Sequence, residues 1–120
     1  MGSFRDLKVY QKAFKLAMGI FTISKDFQEE EKYALTTKIR KSSRSVCSSI
    51  GEGYRKRVYR AHFISKTTDA DMENSETQVW LDFSLSCKYI SEDVYKEYLE
   101  RSKEIGKMLN HMIENPEKYK

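Results

Sequence analysis

Seven basic side chains are concentrated between residues 40 and 60. They are Arg40, Lys41, Arg44, Arg55, Lys56, Arg57 and Arg60. Guanidinium groups bind phosphate oxygens through paired hydrogen bonds, and neutralising several phosphates gives binding that weakens steeply with salt. Tyr54 and Tyr59 lie among these cations and offer rings on which bases can stack. The stretch predicts a nucleic-acid-binding surface that contacts backbone or shape, because no base-reading motif accompanies it.

Arg57 and His62 suggest a different chemistry. Their R-x4-H spacing resembles that of small all-helical ribonucleases of the HEPN type, which use such a pair to bind phosphate and cleave RNA. Those enzymes generally carry a polar residue after the arginine, whereas this chain has Val58. A histidine that packs or faces solvent is the better interpretation, so the main prediction is a protein without enzymatic activity.

The remaining candidate sites concern metal ions. A di-iron bundle needs Glu-x-x-His pairs, and neither His62 nor His111 has a glutamate three positions earlier. Asp69, Glu73 and Glu76 are spaced for one helical face and could ligate a divalent cation. A solvated acidic face, or salt bridges to neighbouring side chains, accounts for them better. Since phosphate-cradling loops, zinc spacings and nucleophile elbows are also missing, no metal or cofactor is predicted.

Charge is distributed unevenly along the 120 residues, whose length suits a single hydrophobic core. Residues 1–60 hold 14 basic and 6 acidic side chains, a surplus of 8, and residues 61–120 hold 8 and 12, a deficit of 4. The net charge is only +4, so a merely solvated surface is the competing interpretation. Asymmetry of this kind favours an anionic partner but does not indicate a fold.

The two cysteines and the hydropathy pattern bear on the compartment. Cys47 and Cys87 fall inside apolar-periodic segments, which predicts buried free thiols in a reducing environment. The chain begins without a leader pattern and contains no run of the roughly 20 apolar residues that a membrane span needs. A soluble cytoplasmic protein is therefore expected, with no membrane partner.

Apolar residues that recur every three or four positions predict an all-α protein. The single proline, Pro116, leaves the rest of the chain free to form long helices. One domain is predicted over 1–120, with helices at about 5–26, 30–56, 60–90 and 92–114. Their short connections imply an antiparallel up-and-down four-helix bundle.

One predicted core stripe belongs to each helix. The four stripes are Leu7, Tyr10, Phe14, Ala17 and Phe21; then Leu35, Ile39, Ser42, Val46, Ile50 and Gly53; then Phe63, Thr67, Ala70, Asn74, Thr77, Leu81 and Ser84; then Val94, Tyr98, Ser102, Ile105, Leu109 and Met112. In the second helix the stretch SSRSVCSSIGEG places small residues on the core side, where they allow neighbouring helices to approach closely. Its arginines fall on the opposite side.

Several segments resemble a known bacterial family. They are Phe4-Arg5-Asp6-Leu7-Lys8-Val9-Tyr10-Gln11-Lys12-Ala13, Glu31-Lys32-Tyr33-Ala34-Leu35, Ile39-Arg40-Lys41, Ser45-Val46, Ser49-Ile50-Gly51-Glu52-Gly53 and Glu76-Thr77-Gln78-Val79-Trp80-Leu81. They are similar to the four-helix bundle proteins encoded by intervening sequences in 23S ribosomal RNA genes, often labelled S23 ribosomal protein. The chain departs from that pattern at Gln28, Ser49, Gly51 and the pair Ala70-Asp71.

The resemblance implies a four-helix bundle that forms a ring-shaped homo-oligomer. Relatives, including the accessory protein of diversity-generating retroelements, form homopentamers with a basic surface. That accessory protein binds nucleic acid and a reverse transcriptase. A homopentamer is accordingly the expected assembly, with nucleic acid or a protein as a further partner.

The third predicted helix supports self-association independently of the resemblance. Beyond its core stripe, Met72, Val79, Trp80 and Phe83 cluster on roughly the opposite side. A helix that is apolar nearly all round is buried, and a second apolar face indicates contact with another subunit. The alternative is that Trp80 and Phe83 cover the end of the bundle or flank its core.

Together these features predict a non-enzymatic, self-associating helical protein that binds structured RNA or other nucleic acid through its second helix and the following turn. The alternatives are a protein-interaction scaffold whose basic surface meets an acidic protein, and the ribonuclease that uses Arg57 and His62.

Overall fold

Four long α-helices form most of the computed structural model, which describes residues 2–119. They are α1 (Lys8–Ser24), α2 (Thr37–Arg55), α3 (Arg60–Ser86) and α4 (Glu92–Glu114). Short 3-10 turns span Phe4–Asp6, Glu29–Glu31 and Pro116–Tyr119, and a π-helical turn, Lys32–Thr36, leads into α2. No β-strand occurs within residues 2–119, so the all-α, four-helix prediction is confirmed.

Consecutive helices run in opposite directions. Lys12 of α1 forms a salt bridge to Glu104 of α4 at 3.4 Å. Gly19, two turns further along α1, lies against Tyr98, which precedes Glu104 in α4. The hydrogen bonds that join α2 to α3 and α3 to α4 show the same inverse order. At 1.5 Å per residue the 27 residues of α3 are about 40 Å long, which matches the 44 Å long axis of the molecule.

The predicted core stripe of α3 is buried in full. Its members are Phe63, Thr67, Ala70, Asn74, Thr77, Leu81 and Ser84. The predicted stripe of α2 is also buried, and in α4 only Val94 is half-buried. Within the serine-rich stretch Ser42, Ser43 and Ser49 are buried and Ser48 is exposed, so the small side chains face the neighbouring helices as predicted.

Helix α1 uses a different face from the one predicted. Its buried residues are Val9, Ala13, Leu16, Ala17, Ile20 and Ser24, so that of the predicted stripe only Ala17 is in the core. Both stripes step by three and four, and periodicity alone cannot choose between them. The chosen face carries small residues where helices approach: a Cβ added at Gly19 would lie 2.6 Å from the Tyr98 hydroxyl oxygen. Of the aromatic side chains that were expected inside, Phe14 is therefore exposed, and Tyr10 and Phe21 are only half-buried.

Helix α3 ends at Ser86, four residues before the predicted boundary at 90. Lys88 has a φ of 64°, and the chain turns there because the Lys88 and Tyr89 amides donate back to the Leu85 and Ser84 carbonyls at 2.9 Å each. This is the Schellman arrangement, which usually has glycine at the left-handed position. Cys87 is consequently exposed, which corrects the prediction that both cysteines are buried; both thiols are free.

The helix starts also differ from the predicted ones. Ser3 and Asp6 form a reciprocal capping box, but it opens the 3-10 turn, and α1 begins at Lys8. The second helix was predicted to start at about 30, but residues 29–36 form the 3-10 and π turns, so the α-helical part of α2 begins at Thr37. Ser91 caps α4, which was predicted to start at about 92, by accepting a hydrogen bond from the Val94 amide at 3.1 Å.

A polar layer crosses the middle of the core. Asn74 donates to the Ser102 carbonyl and accepts from the Ser102 hydroxyl, each at 2.9 Å. Gln78 donates to the same hydroxyl at 3.0 Å, and Thr77 donates to Ser42 at 2.9 Å. Within residues 2–119 every buried side-chain nitrogen or oxygen has a hydrogen-bond partner. The layer thus joins α2, α3 and α4 without leaving a polar group unsatisfied.

Candidate nucleic-acid interface and apolar surfaces

The outward face of α2 places three of the seven predicted cations together. Arg40, Lys41 and Arg44 line a shallow depression of about 600 Å³ with the small polar side chains of the same helix. Lys41 and Arg44 are exposed and Arg40 is half-buried. Arg55 lies on the same face of α2, 11 residues or about 16 Å beyond Arg44.

Arg40 is held by α1. Its Nε donates to the Ser24 hydroxyl at 2.7 Å and one Nη donates to the Phe21 carbonyl at 3.3 Å. The guanidinium carbon lies 4.7 Å from the centre of the Phe21 ring, within range of a cation–π interaction. Arg40 therefore fastens α2 to the last turn of α1, a role that its position in the basic set did not indicate.

The other four cations lie at the end of α2, in the turn that follows it and at the start of α3. Arg55, Lys56 and Arg60 are exposed, whereas Arg57 is half-buried because its Nη donates to the Tyr54 carbonyl at 2.9 Å and its guanidinium lies 4.0 Å from the Tyr54 ring centre. None of the seven cations forms a salt bridge within residues 2–119. Their positive charge is thus not compensated by carboxylates of the described chain.

The two residues of the ribonuclease alternative, Arg57 and His62, lie in different surroundings. Arg57 is engaged by Tyr54 as described, and His62, in the first turn of α3, is exposed and lies edge-on to Tyr59 with 6.2 Å between the ring centres. Tyr59 is itself 60% exposed. RNA cleavage by this pair stays the less favoured alternative to the predicted non-enzymatic protein.

The acidic residues of α3 surround Met72. Asp69, Glu73 and Glu76 line a depression of about 180 Å³ with it. Glu73 accepts a hydrogen bond from Ser49 at 2.9 Å, and burial raises the pKa of its carboxyl group. Asp69 lies 3.7 Å from Lys66, the salt-bridge role suggested for this cluster. Among residues 2–119 no group of three or more such side chains is arranged to hold a metal ion.

The second apolar face predicted on α3 lies at the surface. Met72, Val79 and Phe83 are 64%, 46% and 53% exposed, and these three side chains are called the α3 ridge below. Trp80 is half-buried, packs against the core, and donates its Nε1 hydrogen to Glu76 at 3.2 Å. Trp80 thus behaves as the alternative interpretation expected, whereas the other three remain uncovered in a single chain.

A second apolar surface was not predicted. It is a groove of about 540 Å³ between α1 and α2, called the α1–α2 groove below. Its apolar lining consists of Phe4, Tyr10, Phe14, Ala17, Met18 and Cys47, and its charged rim of Arg44, Glu52 and Arg55. Phe14 and Met18 are 49% and 47% exposed. The assignment of Tyr10 and Phe14 to the core stripe of α1 concealed this surface, although the competing stripe through Leu16 and Ile20 was a signal for it.

Cys47 lies beneath the groove and is buried. Burial raises the pKa of its thiol to about 11, and the hydrogen bond from the thiol to the Ser43 carbonyl is long, at 3.8 Å. Such a thiol is a small apolar side chain and not a nucleophile. Of the helices between residues 2 and 119, none combines the length and apolar character that crossing a membrane requires.

Comparison with known proteins identifies relatives. A comparison with curated proteins gives no significant match. A crystal structure at 1.70 Å of a protein of unknown function, from the S23 ribosomal protein family of Bacteroides thetaiotaomicron, superposes with a TM-score of 0.80 at 30% sequence identity. The match covers 88% of this chain and 95% of that one. The family profile for 23S rRNA-intervening sequence proteins matches residues 5–111. The chain therefore belongs to the 23S rRNA-intervening sequence protein family.

Proposed function

We propose that this chain is a non-enzymatic, self-associating cytoplasmic protein that binds structured RNA through the exposed cations of α2 and the turn that follows it. The observation that carries the proposal is the uncompensated charge of this surface: none of its seven cations has a carboxylate partner within residues 2–119. The phosphate groups of RNA carry the opposite charge and accept hydrogen bonds from exposed guanidinium and ammonium groups. By resemblance the assembly is a ring of five subunits.

Five of the seven cations are exposed, and the three that lie outside the rim of the α1–α2 groove are the best candidates for direct phosphate contact. Lys41, Lys56 and Arg60 are exposed, and no hydrogen bond or salt bridge within residues 2–119 engages their charged groups. Arg40 and Arg57 already donate hydrogen bonds within the fold, so their guanidinium groups have fewer free N–H donors for phosphate. Tyr59, 60% exposed beside Lys56, provides a ring for base stacking.

A salt titration of RNA binding tests the proposal. Fluorescence anisotropy with a labelled structured RNA should give a Kd that rises steeply with salt. The triple variant Lys41→Gln, Lys56→Gln, Arg60→Gln should weaken binding and lower the slope of log K against log salt by about two to three, because each lost phosphate contact removes about 0.7–0.9.

A matched control removes the same charge from another face. Lys96, Lys103 and Lys107 of α4 are all exposed, and their triple glutamine variant should change the slope by less than about one. Failure of the wild-type protein to bind RNA at low ionic strength would remove the nucleic-acid proposal and favour the scaffold that binds an acidic protein. Equal losses in the two triple variants would show that only net charge matters.

Two further measurements complete the test. Sedimentation velocity at micromolar concentration should show a species larger than the 14.2 kDa chain, and a monomer would contradict self-association. Incubation of labelled RNA with purified protein should leave the RNA intact. Cleavage that is lost on His62→Ala would instead establish the ribonuclease alternative.

A further inference from the structure

The α3 ridge and the α1–α2 groove are two uncovered apolar surfaces on different sides of one chain. They share no residue, and α1 and α3 are diagonal in the bundle, since the principal contacts of α1 are with α2 and α4. One surface therefore cannot cover the other within a single chain. Contiguous exposed apolar surface edged by polar groups is typical of a protein–protein contact.

The two surfaces have matching spacing. Phe14 and Met18 of the groove are four residues apart on α1, and Val79 and Phe83 of the ridge are four residues apart on α3. Each pair thus projects two side chains about 6 Å apart along a helix. Two helices packed side by side can interdigitate such pairs.

The charges that flank the two surfaces are opposite. Arg44 and Arg55 stand at the rim of the groove, and Glu52, the one carboxylate there, is already paired with Lys66 at 2.8 Å. The ridge is flanked by Glu73 and Glu76, neither of which forms a salt bridge within residues 2–119. A basic apolar groove thus faces an acidic apolar ridge only when two copies of the chain meet.

The charge of the whole chain agrees with this pairing. The half that contains α1 and α2 carries a surplus of 8 positive charges, and the half that contains α3 and α4 carries a deficit of 4. Contact of one α3 ridge with another would bring carboxylates together, and contact of two grooves would bring arginines together. Both symmetric arrangements are electrostatically unfavourable, whereas the mixed arrangement is favourable.

We propose that the α3 ridge of one copy inserts into the α1–α2 groove of the next copy, so that the chain assembles head to tail. This inference rests on the proposed self-association and names the surfaces that perform it. An interface between two different surfaces is heterologous and gives closed rings when the rotation between subunits closes. Arg44 and Arg55 then serve the subunit contact, while Lys41, Lys56 and Arg60 remain available to RNA.

Complementation of two variants tests the inference. Met18→Glu damages only the groove and Val79→Lys damages only the ridge. Both positions are about half exposed, so the fold is retained. Each variant alone should sediment as a monomer, because the new carboxylate meets the acidic ridge, or the new ammonium group meets the basic groove, of every neighbour. A 1:1 mixture should form a heterodimer of twice the monomer mass, through the intact groove of one variant and the intact ridge of the other.

The outcomes separate this inference from the proposed self-association. A monomeric wild-type protein overturns both. An oligomeric wild type whose two variants stay oligomeric, or whose monomeric variants fail to pair on mixing, overturns only the head-to-tail arrangement. Tyr33→Glu, at a position 75% exposed and outside both surfaces, should leave the wild-type assembly unchanged. If circular dichroism shows that either charged variant has lost helix, the milder pair Phe14→Ser and Phe83→Ser takes its place with the same expected results.

Discussion

Replacing Arg40 with alanine should destabilise the folded chain, even though this residue belongs to the basic face of α2. Its guanidinium donates to the Ser24 hydroxyl at 2.7 Å and to the Phe21 carbonyl at 3.3 Å, and it lies 4.7 Å from the Phe21 ring centre. All three interactions are between α2 and the C-terminal turn of α1. The substitution therefore removes contacts that hold α2 against α1, in addition to a surface charge.

The expected loss is about 2 kcal/mol. A hydrogen bond from a charged donor contributes about 1.5–3 kcal/mol, and the longer bond to Phe21 with the cation–π contact adds about 1 kcal/mol. About 1–2 kcal/mol of side-chain entropy, which the ordered arginine gives up on folding, offsets part of this. An unfolding entropy of about 2.1 cal/mol/K per residue over 120 residues converts 2 kcal/mol to a fall in Tm of about 8 °C.

Thermal unfolding followed by circular dichroism at one fixed protein concentration measures this effect. Lys41→Ala is the matched control, because it removes a neighbouring positive charge that is fully exposed, and its Tm should change by less than about 2 °C. The reasoning is wrong if Arg40→Ala melts within about 2 °C of the wild type, or if the control loses as much stability.

Three other substitutions or reagents test the core and the helix ends. Asn74→Ala should lower the free energy of unfolding, measured in urea, by about 2–3 kcal/mol, because the buried Ser102 groups lose their hydrogen-bond partner. The control Asn110→Ala, on the exposed face of α4, should lower it by less than about 0.5 kcal/mol. A thiol reagent at pH 8 should label Cys87 in the native protein and Cys47 only after unfolding, since a pKa of about 11 leaves about one thiol in a thousand ionised; equal rates would contradict this. Lys88→Gly should stabilise the chain by about 1 kcal/mol by relieving the left-handed backbone, and an unchanged urea midpoint would refute that cause.

The sequence predicted the fold class and the core of three helices because each of those segments carries one continuous stripe at three-four spacing. In α3 the stripe from Phe63 to Ser84 runs almost the whole length of the helix, and all of it is buried, whereas the second apolar face is shorter and stays at the surface. In α1 two stripes were available. The choice between them depended on close approach to α4 at Gly19, which is a tertiary property that spacing does not encode.

The candidate surfaces were predicted less completely. Helical periodicity locates the Cα of a residue but not the end of a long side chain, so the inward reach of Arg40 to Ser24 could not be foreseen. The α3 ridge was found because its residues formed a second stripe. The α1–α2 groove was missed because its aromatic side chains had been assigned to the core, and the end of α3 was misplaced because lysine is an unusual residue for a left-handed turn.

The polar layer in the middle of the bundle restricts how the helices can be aligned. Apolar side chains accept many neighbours, so a purely aliphatic core would tolerate a helix displaced by one turn. Such a slide of α3 would separate Asn74 and Thr77 from Ser102 and Ser42, and each stranded group would cost about 1–3 kcal/mol. A chain whose total stability is about 5–15 kcal/mol cannot bear several such losses. The hydroxyls and amides at the centre therefore select one lengthwise alignment of α2, α3 and α4, and with it the relative positions of the side chains on their outer faces.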